Sequence, residues 1–349
     1  MTLTSGELFA GYGGLAMSVE EVFGAETRWV AEFDAAPSKI LAHRFPGVPN
    51  LHDVTQVDWT QVEPVDIISG GSPCQDVSQA GRRKGMTEGT RSNLWVSMRE
   101  AIATIQPRYV VWENVRGAYS AKAHSEMEPC PGCLGGHEGR DEPVLRALGR
   151  VLGDLSQLGY DAQWRGLRAA DVGAPHGRYR VFVLARLATD TECDGLQKRG
   201  LPRRPSPELA APVRGLSLFP TPSANIGTNG GSQHPDKRRA GGHQPSIQDV
   251  LEHTTDWGTY GAAIRRWEAV TGQEAPAPTG PTPRAGKRRL NPMFVEWMMG
   301  LPPGWVTDMP ISRNEQLKAL GNGVVPQQCT AALEDMLASF GAPSVSHVA

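Results

Sequence analysis

Four side chains in this sequence have types and spacings that suit covalent catalysis: Cys74, Glu113, Arg178 and Arg180. Cys74 lies in Gly70-Gly71-Ser72-Pro73-Cys74-Gln75, just after the apolar run Val65-Asp66-Ile67-Ile68, where a strand stops and a loop begins. Glu113-Asn114-Val115 begins 39 residues after Cys74 and follows a second apolar run, Tyr109–Trp112. In a parallel sheet, strand ends on one side converge on a single crevice, so a thiol and a carboxyl group can face one substrate. The thiolate would be the nucleophile and the carboxyl group a proton carrier. In Gly173-Ala174-Pro175-His176-Gly177-Arg178-Tyr179-Arg180-Val181-Phe182, alternation places both arginines on one face of a strand. Each signal alone has a plain explanation. A buried cysteine is usually a small hydrophobe, and alternating arginines also mark an exposed strand edge.

The elements that must position these groups read as alternating strands and helices over residues 1–186. Strands are expected at Thr4–Phe9, Arg28–Phe33, Val65–Ser69, Arg108–Trp112, Ala162–Leu167 and Tyr179–Leu184. Helices are expected up to Phe23 and at Ala36–Phe45, Leu94–Ile105 and Val144–Leu158, the last with Leu145, Leu148, Leu152 and Leu155 at helical spacing and Gly159 as its cap. Such alternation implies an α/β fold with a doubly wound sheet. From about 187 to 286 prolines and glycines break the pattern, except near Asp256–Val270. Trp257, Tyr260, Ile264 and Trp267 offer a small core there. The expected division is 1–186 as a catalytic domain, 187–300 as a second, smaller irregular domain, and 301–349 as a segment returning to the first. Regular structure resumes at Pro292–Met299 and Arg313–Phe340.

A glycine-rich turn, Phe9-Ala10-Gly11-Tyr12-Gly13-Gly14-Leu15, separates the first strand from the first helix. Glycines let the backbone turn sharply and approach a ligand closely. Glu32 ends the next strand, where a carboxylate can accept from two ribose hydroxyls, and Asp53 could accept from an adenine amino group. Either acid alone is as readily a solvated loop residue; with the turn they indicate a nucleoside-containing cofactor. The glycine spacing is not that of the dinucleotide fingerprint.

Taken in order, these motifs resemble those of the DNA (cytosine-5)-methyltransferases, of bacterial or phage type. Pro73-Cys74-Gln75 and Glu113-Asn114-Val115 match that family's catalytic signatures, and Phe9–Gly14 matches its S-adenosylmethionine motif. Leu320-Gly321-Asn322-Gly323-Val324-Val325-Pro326 matches its C-terminal motif, while Arg289-Leu290-Asn291-Pro292 and Glu296–Pro302 match the one before it. The resemblance implies a Rossmann-like S-adenosylmethionine-dependent methyltransferase fold. It implies cofactor contacts from Phe9, Ala10, Gly11, Gly13, Gly14, Leu15, Glu32, Phe33, Asp53, Val54, Pro73, Asn322 and Val324. Cys74 would add to C6 of a cytosine flipped out of duplex DNA, making C5 nucleophilic toward the methyl group. Glu113 would hold the N3 and amino edge, with Arg178 on the pyrimidine O2. His176 stands where the family often has Gln.

Gln75–Gly89 is polar, glycine-rich and cationic, like the family's mobile loop. Gln75, Ser78, Gln79, Arg82, Arg83 and Lys84 are its candidate DNA contacts, and the three cations would also favour the Cys74 thiolate. Overall charge is −2, but it is unevenly spread. Residues 1–100 carry 8 basic against 13 acidic side chains, whereas residues 195–240 carry 8 basic against Glu208 and Asp236. The basic stretch falls in the family's variable target-recognition region and is the expected electrostatic footprint on DNA. The alternatives are an RNA cytosine methyltransferase and a non-catalytic nucleic-acid-binding regulator. Neither a restriction–modification role nor an orphan or phage role is singled out.

No apolar run approaches the roughly 20 residues that span a bilayer. The first residues do not read as a signal peptide, and five cysteines make no disulfide framework. A bacterial or phage-infected cytoplasm and a monomer are expected. His124, Cys130, Cys133 and His137 offer one CxxC amid glycines and acids. No metal cofactor is expected, and metal analysis of the purified protein should give less than one zinc per chain.

Overall fold

A computed structural model describes residues 2–72, 94–119, 122–123, 145–188, 216–227, 232–253, 257–281 and 288–340. Pro73, Cys74, Gln75, Ser78, Gln79, Arg82, Arg83 and Lys84 lie outside the described residues, as do His124, Cys130, Cys133 and His137. So do Lys198, Arg199, Arg203, Arg204 and Arg214 of the basic stretch.

The strands are β1 (Thr4–Leu8), β2 (Glu26–Ala31), β3 (Ile67–Gly70), β4 (Tyr109–Val115), β5 (Lys122–Ala123), β6 (Leu145–Arg146), β7 (Tyr160–Arg168), β8 (Tyr179–Leu187), β9 (Thr279–Pro281) and β10 (Arg288–Leu290). One six-stranded sheet has the order β2-β1-β3-β4-β8-β7; β5–β6 and β9–β10 form separate two-stranded pieces. The first four strands run parallel, and β8 enters antiparallel to both β4 and β7. That reversal brings the start of β8 to the carboxyl end of β4, with Arg180 in register with Val115.

The sheet is covered on both faces, because its strands are apolar on both. Val110, Trp112, Val181 and Val183 pack with Trp95, Met98 and Ile102 of α3 (Trp95–Ile105) and Leu148, Val151 and Leu155 of α4 (Ala147–Gln157). Tyr109, Val111, Phe182 and Leu184 point the other way. They pack with Leu15 and Val19 of α1 (Gly14–Phe23) and Cys329, Leu333 and Met336 of a C-terminal helix at Pro326–Ser339. Alternate residues of β4 and β8 thus serve opposite layers, the pattern expected of a doubly wound sheet. α2 (Ala35–Arg44) follows β2 and buries Ile40 and Leu41.

Residues 187–286 are more regular than their prolines suggest. Described there are α5 (Pro235–Ala240), α6 (Ile247–His253) and α7 (Gly261–Thr271). Pro235 sits in the first turn of α5, where a missing N–H costs nothing. α8 (Pro292–Met298) follows β10, and α9 (Arg313–Asn322) and α10 (Pro326–Ser339) close the described chain. The expected stretch Arg313–Phe340 is therefore two helices, divided by Gly323 and restarted at Pro326. Phe219, Ile247, Val250, Ile264, Trp267 and Phe294 share one hydrophobic cluster with Val306, Leu317, Leu320 and Val325, and with Tyr12 and Ile40. Phe219 is its aromatic centre, stacked on Tyr260 at a ring separation of 4.1 Å.

Candidate active site

β1 ends in a tight turn in which Phe9, Gly11 and Gly13 all have positive φ, at 57, 56 and 85°. Glycine takes that conformation freely; Phe9 does so under strain, which is unusual for a bulky residue. Its amide and that of Ala10 both reach the Ala31 carbonyl, at 2.8 and 3.3 Å, so the end of β2 holds the turn. A Cβ on Gly11 would meet nothing within 4 Å, so this part of the turn opens on free space. Ala10 and Leu15 are buried beneath it. Glu7 lies one residue before the end of β1 and accepts from the Ala16 amide at 3.0 Å. Burial raises its carboxyl to about 8.

Glu32 stands just beyond β2. One carboxylate oxygen accepts from the Gly11 amide at 2.8 Å and the other from the Asp34 amide at 2.8 Å. Each oxygen keeps a second lone pair for a ligand hydroxyl. Burial raises its pKa, against the lowering effect of those two amides. Asn50 fixes the Glu32 backbone from both sides, accepting from its amide at 2.9 Å and donating to its carbonyl at 3.1 Å. Phe33 is 74% exposed, an apolar ring open to a ligand. Asp53 uses one oxygen to hold Thr55, and Val54 beside it is buried. The glycine turn, the Glu32 carboxylate and the Phe33 ring fit a ribose with an attached purine. Pro73 is the one sequence-derived cofactor residue outside the described set.

The C-terminal motif closes the same site from across the chain. Tyr12 donates its hydroxyl to the Val324 carbonyl at 2.5 Å. A Cβ at Gly323 would overlap the Tyr12 ring, and one at Gly14 would come within 2.8 Å of the Val324 carbonyl. Ser18 adds a bond to the Pro326 carbonyl at 3.0 Å. Asn322 is exposed at the end of α9, beside this contact, and Val324 is buried.

At the carboxyl end of β4 Glu113 is buried and paired with Arg180, at 2.6 Å between Oε1 and Nε. Burial raises the Glu113 pKa; Arg180 and Arg178 pull it back down. The residues flanking it reach to the segment that follows β3. Trp112 Nε1 donates to the Ser72 hydroxyl at 3.1 Å, and Asn114 Nδ2 donates to the Ser72 carbonyl at 3.2 Å. Ser72 is buried two positions before Cys74. A Cβ on Gly71 would lie 2.9 Å from the Glu113 carboxylate, so this glycine lets the chain pass over the acid.

Arg178 and Arg180 share a face, as their spacing implies, but have different partners. Arg178 precedes β8 and is buried. Its Nη1 donates to the carbonyls of Pro222 and Gly321, both at 3.1 Å. Its Nη2 donates to those of Asn322 at 3.3 Å and Gly323 at 2.6 Å. The arginine on the Glu113 carboxylate is thus Arg180. His176 is wholly buried; desolvation, with the Arg178 charge adding, lowers its pKa to about 3. The neutral ring meets the Met298 carbonyl through Nε2 at 3.0 Å, and a carbonyl only accepts, so that nitrogen carries the proton.

The sequence did not single out Tyr12, Ser72 or Asn114 as site-building residues. The signal for Tyr12 was an aromatic ring set between the small residues Gly11 and Gly13. Nothing in the spacing marks Ser72 as the partner of Trp112 and Asn114. Among the described residues, no three His, Cys, Asp or Glu side chains gather to hold a metal, and no helix is long and apolar enough to cross a membrane.

The mixed sheet, with a glycine turn after its first strand and helices on both faces, defines the Rossmann-like fold of S-adenosylmethionine-dependent methyltransferases. Residues 3–338 match the model of the C-5 cytosine-specific DNA methylases, and the chain belongs to that family. A solved methyltransferase of Entamoeba histolytica shares the fold, with a TM-score of 0.57 and 15% identity over 97% of this chain and 99% of that one. The type II methyltransferase M.Eco47II of Escherichia coli is 37% identical over 181 residues, 51% of this chain and 38% of that protein. A protein of Escherichia phage P1 named a DNA N-6-adenine-methyltransferase is 31% identical over 271 residues, 62% of this chain but 35% of its own length. The chain thus spans less than half the length of these two relatives.

Proposed function

We propose that this chain methylates C5 of a cytosine within a short specific sequence of double-stranded DNA, with S-adenosylmethionine as methyl donor. The observation that carries this reading is the buried Glu113–Arg180 pair at 2.6 Å, set beside the Gly71-Ser72 backbone that leads to Cys74. A carboxyl group raised by burial keeps a proton to share, and a guanidinium beside it offsets negative charge.

The target carbon lies within the base stack, so the cytosine must be turned out of the duplex. Glu113 binds its N3 and amino edge. As the Cys74 thiolate forms a bond to C6, the C5–C6 π pair shifts into the ring and Glu113 delivers its proton to N3. Arg180 stabilises the charge that spreads onto the pyrimidine O2. Arg178 was the residue implied for that contact, but its guanidinium is engaged by four backbone carbonyls. When bound, S-adenosylmethionine supplies the methyl group that C5 takes up. Loss of the C5 proton to a base, return of the N3 proton to Glu113 and expulsion of the Cys74 thiolate restore the aromatic ring. An adenine amino group needs no thiol adduct, so Pro73-Cys74-Gln75 and Glu113-Asn114-Val115 favour cytosine.

Gly11, Glu32 and Phe33 would hold the cofactor's nucleoside, with Asp53 at the adenine and Asn322 at the amino-acid part. Gln75, Ser78, Gln79, Arg82, Arg83 and Lys84 would contact DNA. Residues 187–286 would read the sequence, and one chain would suffice as the working unit.

The test is base-resolution cytosine methylation sequencing of DNA from a methylation-free host expressing the protein, beside Cys74→Ala. Methylation at one short motif, absent from the variant, is expected. Unmethylated DNA despite soluble, folded protein would overturn the proposal.

A further inference from the structure

The carbonyls of Gly321, Asn322, Gly323 and Val324 follow one another where α9 ends, and two side chains hold all four. Arg178 takes the first three and Tyr12 takes the fourth. The last carbonyls of a helix ordinarily lack partners and carry its negative dipole end. In this chain those of Gly321 and Asn322 face a buried guanidinium, and that of Val324, beyond the helix, faces a buried phenol. Burial raises the Tyr12 pKa, so its hydroxyl keeps the proton it donates. The contact tolerates no extra bulk: a Cβ at Gly323 would overlap the Tyr12 ring, and one at Gly321 would overlap the Ser223–Ala224 backbone. Arg178 also holds the Pro222 carbonyl at 3.1 Å, tying that neighbouring segment to the same point.

The two side chains come from different places. Tyr12 belongs to the glycine turn, and Arg178 lies two residues before the Glu113 partner Arg180. We propose that Tyr12 and Arg178 form a latch that positions the Gly321–Val324 backbone, and with it the exposed Asn322 side chain, for cofactor binding. Both are positioning residues, acting through the backbone they hold. The latch mechanically joins the cofactor end of the site to the strand that carries the target-base arginine. This inference rests on the methyltransferase reading above.

The experiment uses the full chain, wild type and with Tyr12→Phe, Arg178→Lys or Arg178→Met. Calorimetric titration with S-adenosylhomocysteine gives affinity directly, and steady-state methyl transfer gives KM and kcat. Tyr12→Phe keeps the ring against Gly323 and removes one hydrogen bond. Its affinity should fall about tenfold, in line with the loss of one buried bond. KM for S-adenosylmethionine should rise by a similar factor while kcat stays within about twofold. Arg178→Met should weaken binding about a hundredfold, and Arg178→Lys should restore little, because one ammonium cannot span carbonyls served by two guanidinium nitrogens. Amide hydrogen exchange at residues 321–324 should quicken in each variant. Unchanged affinity and exchange in Tyr12→Phe would overturn the latch, even if the Arg178 variants fail to fold. Failure of the wild type to bind S-adenosylhomocysteine would overturn the methyltransferase reading itself.

Discussion

Glu113 and Glu296 are both buried carboxylates, yet their surroundings differ sharply. Glu296, on α8, is filled by the fold. Its Oε1 accepts from the amides of Val306 at 2.5 Å and Thr307 at 2.9 Å. Its Oε2 accepts from the Gly304 amide and the Thr307 hydroxyl, both at 2.8 Å. Glu113 is instead paired with the Arg180 guanidinium and has a glycine backbone running over it. Burial alone therefore does not distinguish a structural acid from one proposed to react. What distinguishes them is whether the chain itself has already used the acid's hydrogen-bonding capacity.

That contrast is most sharply tested by Glu113→Gln beside Glu296→Gln. The first should lower kcat by about 10²–10⁴-fold, the usual span for losing an acid–base group, at temperatures where the variant remains folded. The second should destabilise folding by about 1–3 kcal/mol, as donors lose their charged acceptor, while kcat at low temperature stays near wild type. Equal kinetic damage in both, measured by methyl transfer, would erase the distinction.

Arg180→Met should lower kcat about 100-fold and also move its pH dependence. Arg180 opposes the burial that raises the Glu113 pKa, so removing it lets that pKa climb further. Activity that needs the protonated acid falls as pH passes its pKa. The high-pH limb of the kcat profile should therefore shift upward in the variant, and a downward shift would contradict the assignment.

Glu7 extends the comparison to the cofactor side. Its carboxyl is raised from 4.5 to about 8 by burial, against bonds from the Ala16 and Leu15 amides. A raised carboxyl contributes stability that is complete below the unfolded pKa and is lost as pH rises through the folded one. Wild-type stability should thus decline between about pH 4.5 and 8 through this group. Glu7→Gln should flatten that decline, with a difference on the order of 1–3 kcal/mol at pH 8, read by denaturant unfolding across pH.

The smallest effect concerns DNA. Lys237→Ala on α5 should weaken binding to all sequences alike and reduce the slope of log affinity against log salt by about one. A flat salt response in the wild type would remove residues 195–240 from the DNA face.

Much of the fold was legible because β4 and β8 carry apolar residues on both faces, and because glycines and prolines mark the breaks between elements. The site was legible where local sequence builds it, as in the Phe9–Gly14 turn and the Glu113 strand end. It was not legible where distant segments meet. Spacing placed Arg178 and Arg180 on one face, but which of them meets Glu113 depends on the β4–β8 register and on where α9 ends. The Tyr12–Val324 bond joins residues 312 positions apart. The shared core of residues 216–325 was hidden for a related reason. Phe219, Trp267 and Phe294 bury themselves against helices beyond residue 300 as well as against one another, so no local period reports it.

The meeting of Tyr12 with Val324 also bears on the life of the nascent chain. Synthesis runs from the N-terminus at roughly 5–20 residues per second, so the glycine turn leaves the ribosome well before the segment that closes over it. Until Val324 and Pro326 emerge, the Tyr12 hydroxyl and the α1 face lack the partners they have in the finished molecule. Closure of the glycine turn is thereby deferred until residues 324–326 have been made, and a message interrupted before them yields a polypeptide with that turn left open.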